Sequence, residues 1–176
     1  MRAASPAGAR QRRNQTPGMQ IEVVVRSARW RKVPNAQTIV KAAILAAAKA
    51  VSTRPAELAI VLHDDSAIRV LNRQWRGQNA PTNVLSFPAA PPGKRRSASP
   101  YIGDIVIAFQ TTAREAVAEG KPIGHHLAHL AVHGFLHLLG YDHEVERDAA
   151  AMERLERRIL RHLAIPDPYA PRDARS

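Results

Sequence analysis

The chain has 176 residues, 45% of them apolar, which is enough for one globular domain with its own hydrophobic core. It contains no cysteine, so disulfides and cysteine-ligated metals are excluded and a reducing, cytoplasmic setting is favoured. No apolar run approaches the roughly 18 residues of a membrane span, and the net charge of +11 is typical of proteins that bind polyanions.

The basic residues are concentrated in the first part of the chain. Residues 1–100 carry a net charge of +13 and residues 101–176 a net charge of −2. Residues 1–18 contain four arginines, no acidic residue and no large aliphatic residue, so we predict a disordered basic tail. The segment is expected to be a plain tail or an upstream extension before Met19. An organellar transit peptide is the alternative, but two prolines and an apolar face made only of alanine argue against its amphipathic helix.

The first predicted elements are two strands separated by a helix. Residues 20–26 (QIEVVVR) and 57–63 (ELAIVLH) are rich in β-branched and aliphatic residues, which favours strands. Residues 38–51 are rich in alanine, which favours a helix. This helix is expected to turn three aliphatic residues towards the core: Ile39, Ile44 and Leu45.

A second helix is predicted at residues 67–76, after the capping residues Asp64, Asp65 and Ser66, and is expected to stop at Gly77. Its apolar residues follow helical spacing, so we expect Trp75 in the core rather than as a platform for base stacking. The residues that share this spacing are Ile68, Leu71 and Trp75.

Two strands and three helices complete the predicted order. The strands are 84–87 and 101–109, separated by a proline-, serine- and arginine-rich loop, and the helices are 111–120, 123–140 and 144–164. Strands interleaved with helices indicate a single α/β or α+β domain. The predicted domain spans residues 19–165 and is followed by a C-terminal tail, 166–176.

Three histidines follow the spacing H-x3-H-x5-H within VHGFLHLLGYDHE. His133 and His137 lie four residues apart, so on a helix they share one face. Gly140 lets the chain turn, which can bring His143 back as a third ligand. Three imidazoles suit one zinc ion and leave a position for water. The alternative is that these are ordinary histidines of an amphipathic helix. Their polar rings would then lie among leucines without a partner, which is unfavourable.

The same spacing matches the metzincin peptidase pattern H-E-x-x-H-x-x-G-x-x-H, with one departure. Gly134 stands where those peptidases carry the glutamate that acts as general base. A metallopeptidase is therefore the least favoured of the metal-dependent functions.

Three segments together resemble the YbeY family of bacterial single-strand endoribonucleases: NRQWRGQNAPTNVLSFP (72–88), GDIVIA (103–108) and HGFLHLLGYDHE (133–144). The resemblance covers most of residues 19–169. It implies an α+β fold with one small mixed four-stranded sheet packed with helices, and a metal site at the end of a central helix. It also implies a role in maturing the 3′ end of small-subunit ribosomal RNA and in ribosome quality control.

The resemblance assigns His133, His137 and His143 as zinc ligands, one ion per chain, and Arg76 as a functionally important arginine. A guanidinium group can hold a phosphate through paired donors and stabilise charge in the transition state. Residues 66–100 contain six Lys or Arg and no acidic residue, so this stretch is expected to bind an RNA backbone. The predicted RNA-binding residues on its helix are Arg69, Arg73 and Arg76.

Other residues have two possible roles each. His129 matches a family position and could contact phosphate or shuttle a proton, or be an ordinary helix-face histidine. Asp104 and Asp142 could orient the ligand imidazoles, although Asp142 could instead cap a turn. Thr82 and Ser86 could donate hydrogen bonds to a phosphate, or they could have only a structural role in the strand and the turn before it.

The expected partners are single-stranded ribosomal RNA and the ribosome or small-subunit assembly proteins, with neither DNA nor a membrane expected. The predicted function is a zinc-dependent endoribonuclease, a hydrolase of phosphodiester bonds. The alternative from another class is a ribosome-assembly factor that does not cleave RNA and holds zinc only for structure.

Overall fold

A four-stranded mixed sheet forms the centre of the fold in the computed structural model, which describes residues 18–90, 99–141 and 146–170. The strands are β1 (Gln20–Val25), β2 (Glu57–His63), β3 (Val84–Pro88) and β4 (Tyr101–Ala108). Their order in the sheet is β1-β2-β4-β3. β1, β2 and β4 are parallel, whereas β3 is antiparallel to β4 and forms an edge.

The described residues also form five α-helices, and a short 3-10 helix (Ala28–Lys32) follows β1. The α-helices are α1 (Ala36–Ala50), α2 (Asp65–Arg76), α3 (Phe109–Ala118), α4 (Ile123–Leu138) and α5 (Glu146–His162). α1, α4 and α5 contribute to the larger apolar core, while Ile68 of α2 packs with Leu85, Val106 and Ala108 in a smaller one. The predicted α+β fold with a small mixed sheet is confirmed.

The ends of α2 follow from its capping residues. The Asp64 carboxylate accepts a hydrogen bond from the backbone N–H of Ala67 at 3.0 Å, which satisfies one of the N–H groups left open at a helix start. Gly77 has a φ of 69°, a left-handed conformation that ends the helix and that glycine adopts without strain. The predicted stop at Gly77 is therefore confirmed, whereas the helix begins at Asp65, two residues before the predicted start, because Asp64 is the capping residue.

Two predicted core residues lie at the surface. Leu45 is 51% exposed, because the buried stripe of α1 runs through Val40, Ala43, Ile44 and Ala47 and leaves Leu45 beside it. Trp75 is 66% exposed, because it lies in the last turn of α2 beside the edge strand β3. Both placements in the core were wrong.

α4 approaches the sheet so closely that a glycine is required in it. A Cβ atom at Gly134 would lie 2.8 Å from Ile105 Cγ2 and 3.1 Å from Ser86 Oγ. This contact sets the backbone of α4 directly on β3 and β4 and places the neighbouring His133 beside β3. Among the described residues, no helix is both long enough and apolar enough to cross a membrane.

Several predictions fall outside the described residues. They concern residues 1–17 of the basic tail, the basic loop 94–96, Asp142, His143 and residues 171–176.

Gly103 provides a test of the sheet geometry. It has a φ of +139°, and an added Cβ atom would lie 2.2 Å from the Phe87 carbonyl oxygen and 2.9 Å from Leu138 Cδ2. We expect Gly103→Ala to lower the free energy of unfolding by about 3 kcal/mol or more, because strain and overpacking add. Thermal and urea denaturation would measure this change.

Gly120 is the matched control for this substitution. Its φ is also positive, +61°, but nothing lies within 4 Å of an added Cβ atom. Gly120→Ala should therefore cost only about 1 kcal/mol. Equal losses in the two variants would contradict the close approach of Gly103 to β3 and α4.

Candidate active site

A cleft of about 350 Å³ lies where the C-terminal ends of α2 and α4 meet β3. The cleft brings together residues that are distant in sequence, because the end of α2 and the end of α4 both lie beside β3. Five of the side chains predicted to bind metal or phosphate line this cleft: Arg76, Thr82, Ser86, His133 and His137.

The two helix histidines face each other in the cleft. Their ring centroids lie 4.6 Å apart, and the distance between His133 Nε2 and His137 Nε2 is 3.0 Å. Spacing by one turn of α4 therefore aims both Nε2 atoms at the same point.

Glu156 of α5 orients the first of these rings. The Nδ1–H group of His133 donates a hydrogen bond to Glu156 Oε1 at 2.7 Å. Since an ionised carboxylate only accepts hydrogen bonds, the proton of the neutral imidazole lies on Nδ1 and the lone pair on Nε2. This is the arrangement in which a carboxylate behind a histidine prepares that histidine to bind a metal.

The Glu156 carboxylate is fully buried, at 0% exposure, and its second oxygen also has partners. The Tyr169 hydroxyl donates to Oε2, and His129 Nε2 lies 3.4 Å from the same oxygen. Burial acts to raise the pKa of Glu156, but the hydrogen bonds from His129, His133 and Tyr169 outweigh it and hold the pKa at about 2. The carboxylate is therefore ionised at neutral pH.

Glu156 was not among the residues predicted from the sequence, and Tyr169 lies in the predicted C-terminal tail. The signal for Glu156 was available, because it lies on the apolar stripe of α5 with Met152, Ile159 and Leu160. An acidic residue on a buried stripe needs a partner. No periodicity could have indicated Tyr169, which follows the last helix.

His129 lies behind His133 and not in the cleft. Its side chain is 13% exposed, and its ring centroid is 6.4 Å from that of His133. His129 lines a different cavity of about 520 Å³, together with His126 and Tyr169. Its connection to His133 runs through the Glu156 carboxylate.

The three predicted RNA-binding arginines lie on one exposed face of α2. Arg69, Arg73 and Arg76 are spaced by four and three residues and are all exposed, as expected for one side of a helix. The Arg69 Nε–H group donates to Asn79 Oδ1 at 2.9 Å. Arg76 is the member of this row that lines the cleft with His133 and His137.

Of the two remaining candidate carboxylates only Asp104 lies in the described residues, and it is not near the histidine pair. Asp104 accepts a hydrogen bond from the Tyr101 hydroxyl at 2.6 Å, and its side chain shares the strand face of Val106, which packs with α2. Asp142, like His143, lies outside the described residues. Within residues 18–90, 99–141 and 146–170, no group of three or more His, Asp or Glu side chains is placed to hold a metal ion.

A second hydrogen-bond network, also missed from the sequence, fixes the rim of the cleft. Asn83, which lines the cleft, donates its amide to both carboxylate oxygens of Glu115 at 3.2 and 2.9 Å. His126 Nε2 lies 2.6 Å from Glu115 Oε2, and burial lowers the pKa of His126. Asn83 Oδ1 also accepts from the backbone N–H of Val84 at 2.7 Å, so the start of β3 is anchored to α3 and α4.

Comparison with known proteins identifies relatives of the whole domain. A family model described as "Endoribonuclease YbeY" matches residues 24–164. A protein of that name from Rhodopseudomonas palustris is 55% identical over 156 residues, which are 86% of this chain and 91% of the relative. Another from a Bradyrhizobium strain is 51% identical over 164 residues, 90% of this chain and 97% of the relative.

A solved structure supports the fold alone. The solution structure of a Thermotoga maritima protein is similar to this chain with a TM-score of 0.51 at 20% sequence identity. The similarity covers 89% of this chain and 100% of the other.

The network around Glu156 can be tested by one isosteric substitution. We expect Glu156→Gln to lower the free energy of unfolding by about 1–3 kcal/mol. The carboxylate has two acceptor oxygens for its donors, whereas the neutral amide has only one. Chemical denaturation at neutral pH would measure the loss.

Glu153→Gln on the same helix is the control, since the Glu153 side chain is 41% exposed and pairs only with Arg157 at 3.4 Å among the described residues. It should change stability by less than about 1 kcal/mol. If the two variants were equally stable, the buried carboxylate would not hold α4, α5 and Tyr169 together.

Proposed function

Given that the chain belongs to the YbeY family of endoribonucleases, we propose that it is a zinc-dependent endoribonuclease that cleaves single-stranded ribosomal RNA in the cleft between α2, β3 and α4. The observation that carries the proposal is the meeting of two facing imidazoles with an arginine in this cleft. His133 and His137 supply nitrogen ligands, and Arg76 supplies donors for a phosphate.

The side chains at the histidine pair fit a zinc ion. The Nε2 atoms of His133 and His137 face one point, and Glu156 holds the proton of His133 on the opposite nitrogen. Imidazole nitrogens are common zinc ligands, and a carboxylate behind the ring raises their basicity. In this proposal His133, His137 and His143 hold one zinc ion per chain. When bound, zinc supplies a water nucleophile at neutral pH and neutralises charge on the phosphate.

The other residues of the cleft position the RNA backbone. Arg76 donates to the phosphate oxygens and stabilises the charge that grows there in the transition state. Ser86 is already engaged, since its hydroxyl donates to the Gly134 carbonyl oxygen at 3.1 Å, so it keeps α4 against β3. Thr82 remains a candidate donor at the rim. Arg69 and Arg73 extend the basic row away from the cleft and would follow the RNA backbone.

The substrate and the partners follow from the family. We propose that the RNA is the 3′ end of small-subunit ribosomal RNA and that the protein works with the ribosome or small-subunit assembly proteins, including in ribosome quality control. A single strand suits a cleft that is open to solvent and bordered by an exposed basic helix.

A metallopeptidase is disfavoured by packing as well as by sequence. The general base of metzincins would have to occupy position 134, where a Cβ atom already meets Ile105 at 2.8 Å. The helix could carry a glutamate there only if it moved away from β4.

Removal of zinc separates an enzyme from an assembly factor that holds zinc only for structure. We expect His137→Ala to lose bound zinc, measured by metal analysis, and to lose cleavage of single-stranded RNA, while circular dichroism shows the fold retained. Chelation of the unaltered protein should abolish cleavage, and added zinc should restore it.

The control for this prediction is His125→Ala, a half-buried histidine of α4 that lies outside the cleft lining. It should keep both zinc and activity. Zinc binding without any turnover of RNA would instead support the assembly factor, and full cleavage by a zinc-free protein lacking both His133 and His137 would exclude the proposed mechanism.

Arg76 is expected to act on the phosphate and not on the metal. Arg76→Ala should retain zinc and lower kcat/KM for RNA by about 100- to 1000-fold, the range for loss of a donor that stabilises transition-state charge. Steady-state cleavage assays and metal analysis of the same preparation would test it. Arg54→Ala is the control, because Arg54 is exposed in the connection between α1 and β2. An equal loss in both variants would show that Arg76 contributes only general positive charge.

A further inference from the structure

Trp75 is the most exposed aromatic side chain of the described residues, at 66%. Tryptophan is highly buried on average, so this degree of exposure is unusual for the residue. The second tryptophan of the chain, Trp30, is only 2% exposed and donates its Nε1–H group to the His63 carbonyl oxygen at 2.8 Å. The two indoles therefore have opposite environments.

The Trp75 ring packs against Phe87 of the edge strand β3 and does not itself line the cleft. It contacts the Phe87 ring edge-on, with centroids 5.8 Å apart and an angle of 62° between the planes. Phe87 lies between Ser86 and Pro88, and Trp75 immediately precedes Arg76; these three neighbours all line the cleft. The contact with Phe87 gives the indole a fixed support while most of its surface stays open.

The charge of the segment that contains Trp75 favours a nucleic acid over an apolar protein segment. Residues 66–100 contain no acidic residue, and Arg73 and Arg76 are exposed on either side of Trp75 in sequence. An aromatic face set among arginines is the combination with which proteins bind single strands, since each base has a π-face and each nucleotide a phosphate.

We propose that Trp75 is a stacking platform for a base of single-stranded RNA, next to the phosphate that Arg76 holds. This inference rests on the proposed function and adds a base subsite to it. Stacking on an indole is tolerant of sequence, so the subsite selects unpaired bases without selecting which base. Such a subsite would also disfavour paired RNA as a substrate, because a paired base cannot offer its face.

The substitution Trp75→Ala tests the subsite, with a short oligouridylate as the probe. We expect its Kd to rise about five- to 150-fold, the equivalent of about 1–3 kcal/mol for one stacked base, and KM to rise with kcat little changed. Trp75→Phe should restore most of the affinity. Val70→Ala is the matched control, because Val70 is also exposed on α2, at 62%, and does not line the cleft.

Two further measurements distinguish stacking from a structural role. RNA should quench the fluorescence of the exposed indole in the unaltered protein, and an oligouridylate with one abasic position should lose affinity for the unaltered protein but not for Trp75→Ala. The slope of log Kd against log salt should be unchanged in Trp75→Ala, since no charge is removed, whereas Arg73→Gln should lower it by about 0.7.

The outcomes separate this inference from the proposed function. If the unaltered protein binds and cleaves RNA while Trp75→Ala binds it equally well and the abasic probe shows no difference, the base subsite is excluded and the proposed function stands; the exposed indole would then face a protein partner. If the unaltered protein neither binds nor cleaves RNA, both are overturned.

Discussion

The buried carboxylate of Glu156 is the interaction on which the geometry of the site depends. An ionised group without solvent must be paired, and here the donors come from His133 and His129 of α4 and from Tyr169 beyond α5. The hydrogen bonds to this one carboxylate therefore hold α4, α5 and Tyr169 together. Because His133 donates its Nδ1 proton to this carboxylate, the orientation of the ring that faces the cleft is set by the packing of α5, which itself lines none of the cleft.

Close packing of backbones provides the second constraint. Gly134 lets α4 lie on Ile105 and Ser86, and Gly103 lets β4 pass Phe87 and Leu138. Both glycines hold the same three elements, β3, β4 and α4, at contact distance, and the cleft is the space left where α4 ends. The position that would carry a general base in a metzincin is thus occupied by a helix–sheet contact. A site with this histidine spacing would have to obtain its nucleophile in another way, and the proposed zinc ion, with Arg76 on the phosphate, would supply it.

Local pattern was enough to predict the strands, the helices and the histidine pair, because these depend on periodicity and capping. The end of α2 followed from Gly77, and the shared face of His133 and His137 followed from helical spacing. Features that depend on where an element ends against its neighbours were not predictable. Trp75 has the spacing of a core residue, yet α2 carries it to the edge strand, and Tyr169 shows no pattern but completes a buried network. Glu156 was predictable in part. Its position on the apolar stripe of α5 could be derived from the sequence, but its hydrogen-bond partners could not.

Charged side chains have different environments in the two parts of the chain, residues 1–100 and 101–176. In the acidic half, Glu156 and Glu115 are engaged with histidines of α4 or with Asn83, and Glu153 and Asp167 both pair with Arg157. These negative charges are directed at protein groups and are largely neutralised at short range. On α2, by contrast, Arg69, Arg73 and Arg76 point outward, with only the neutral Asn79 bonded to the first of them among the described contacts. The field that an approaching polyanion meets is therefore that of the basic row, whose last arginine lies at the histidine pair. In the proposed function, the arginines along α2 therefore attract the RNA, and the row they form ends beside the histidines that hold the metal.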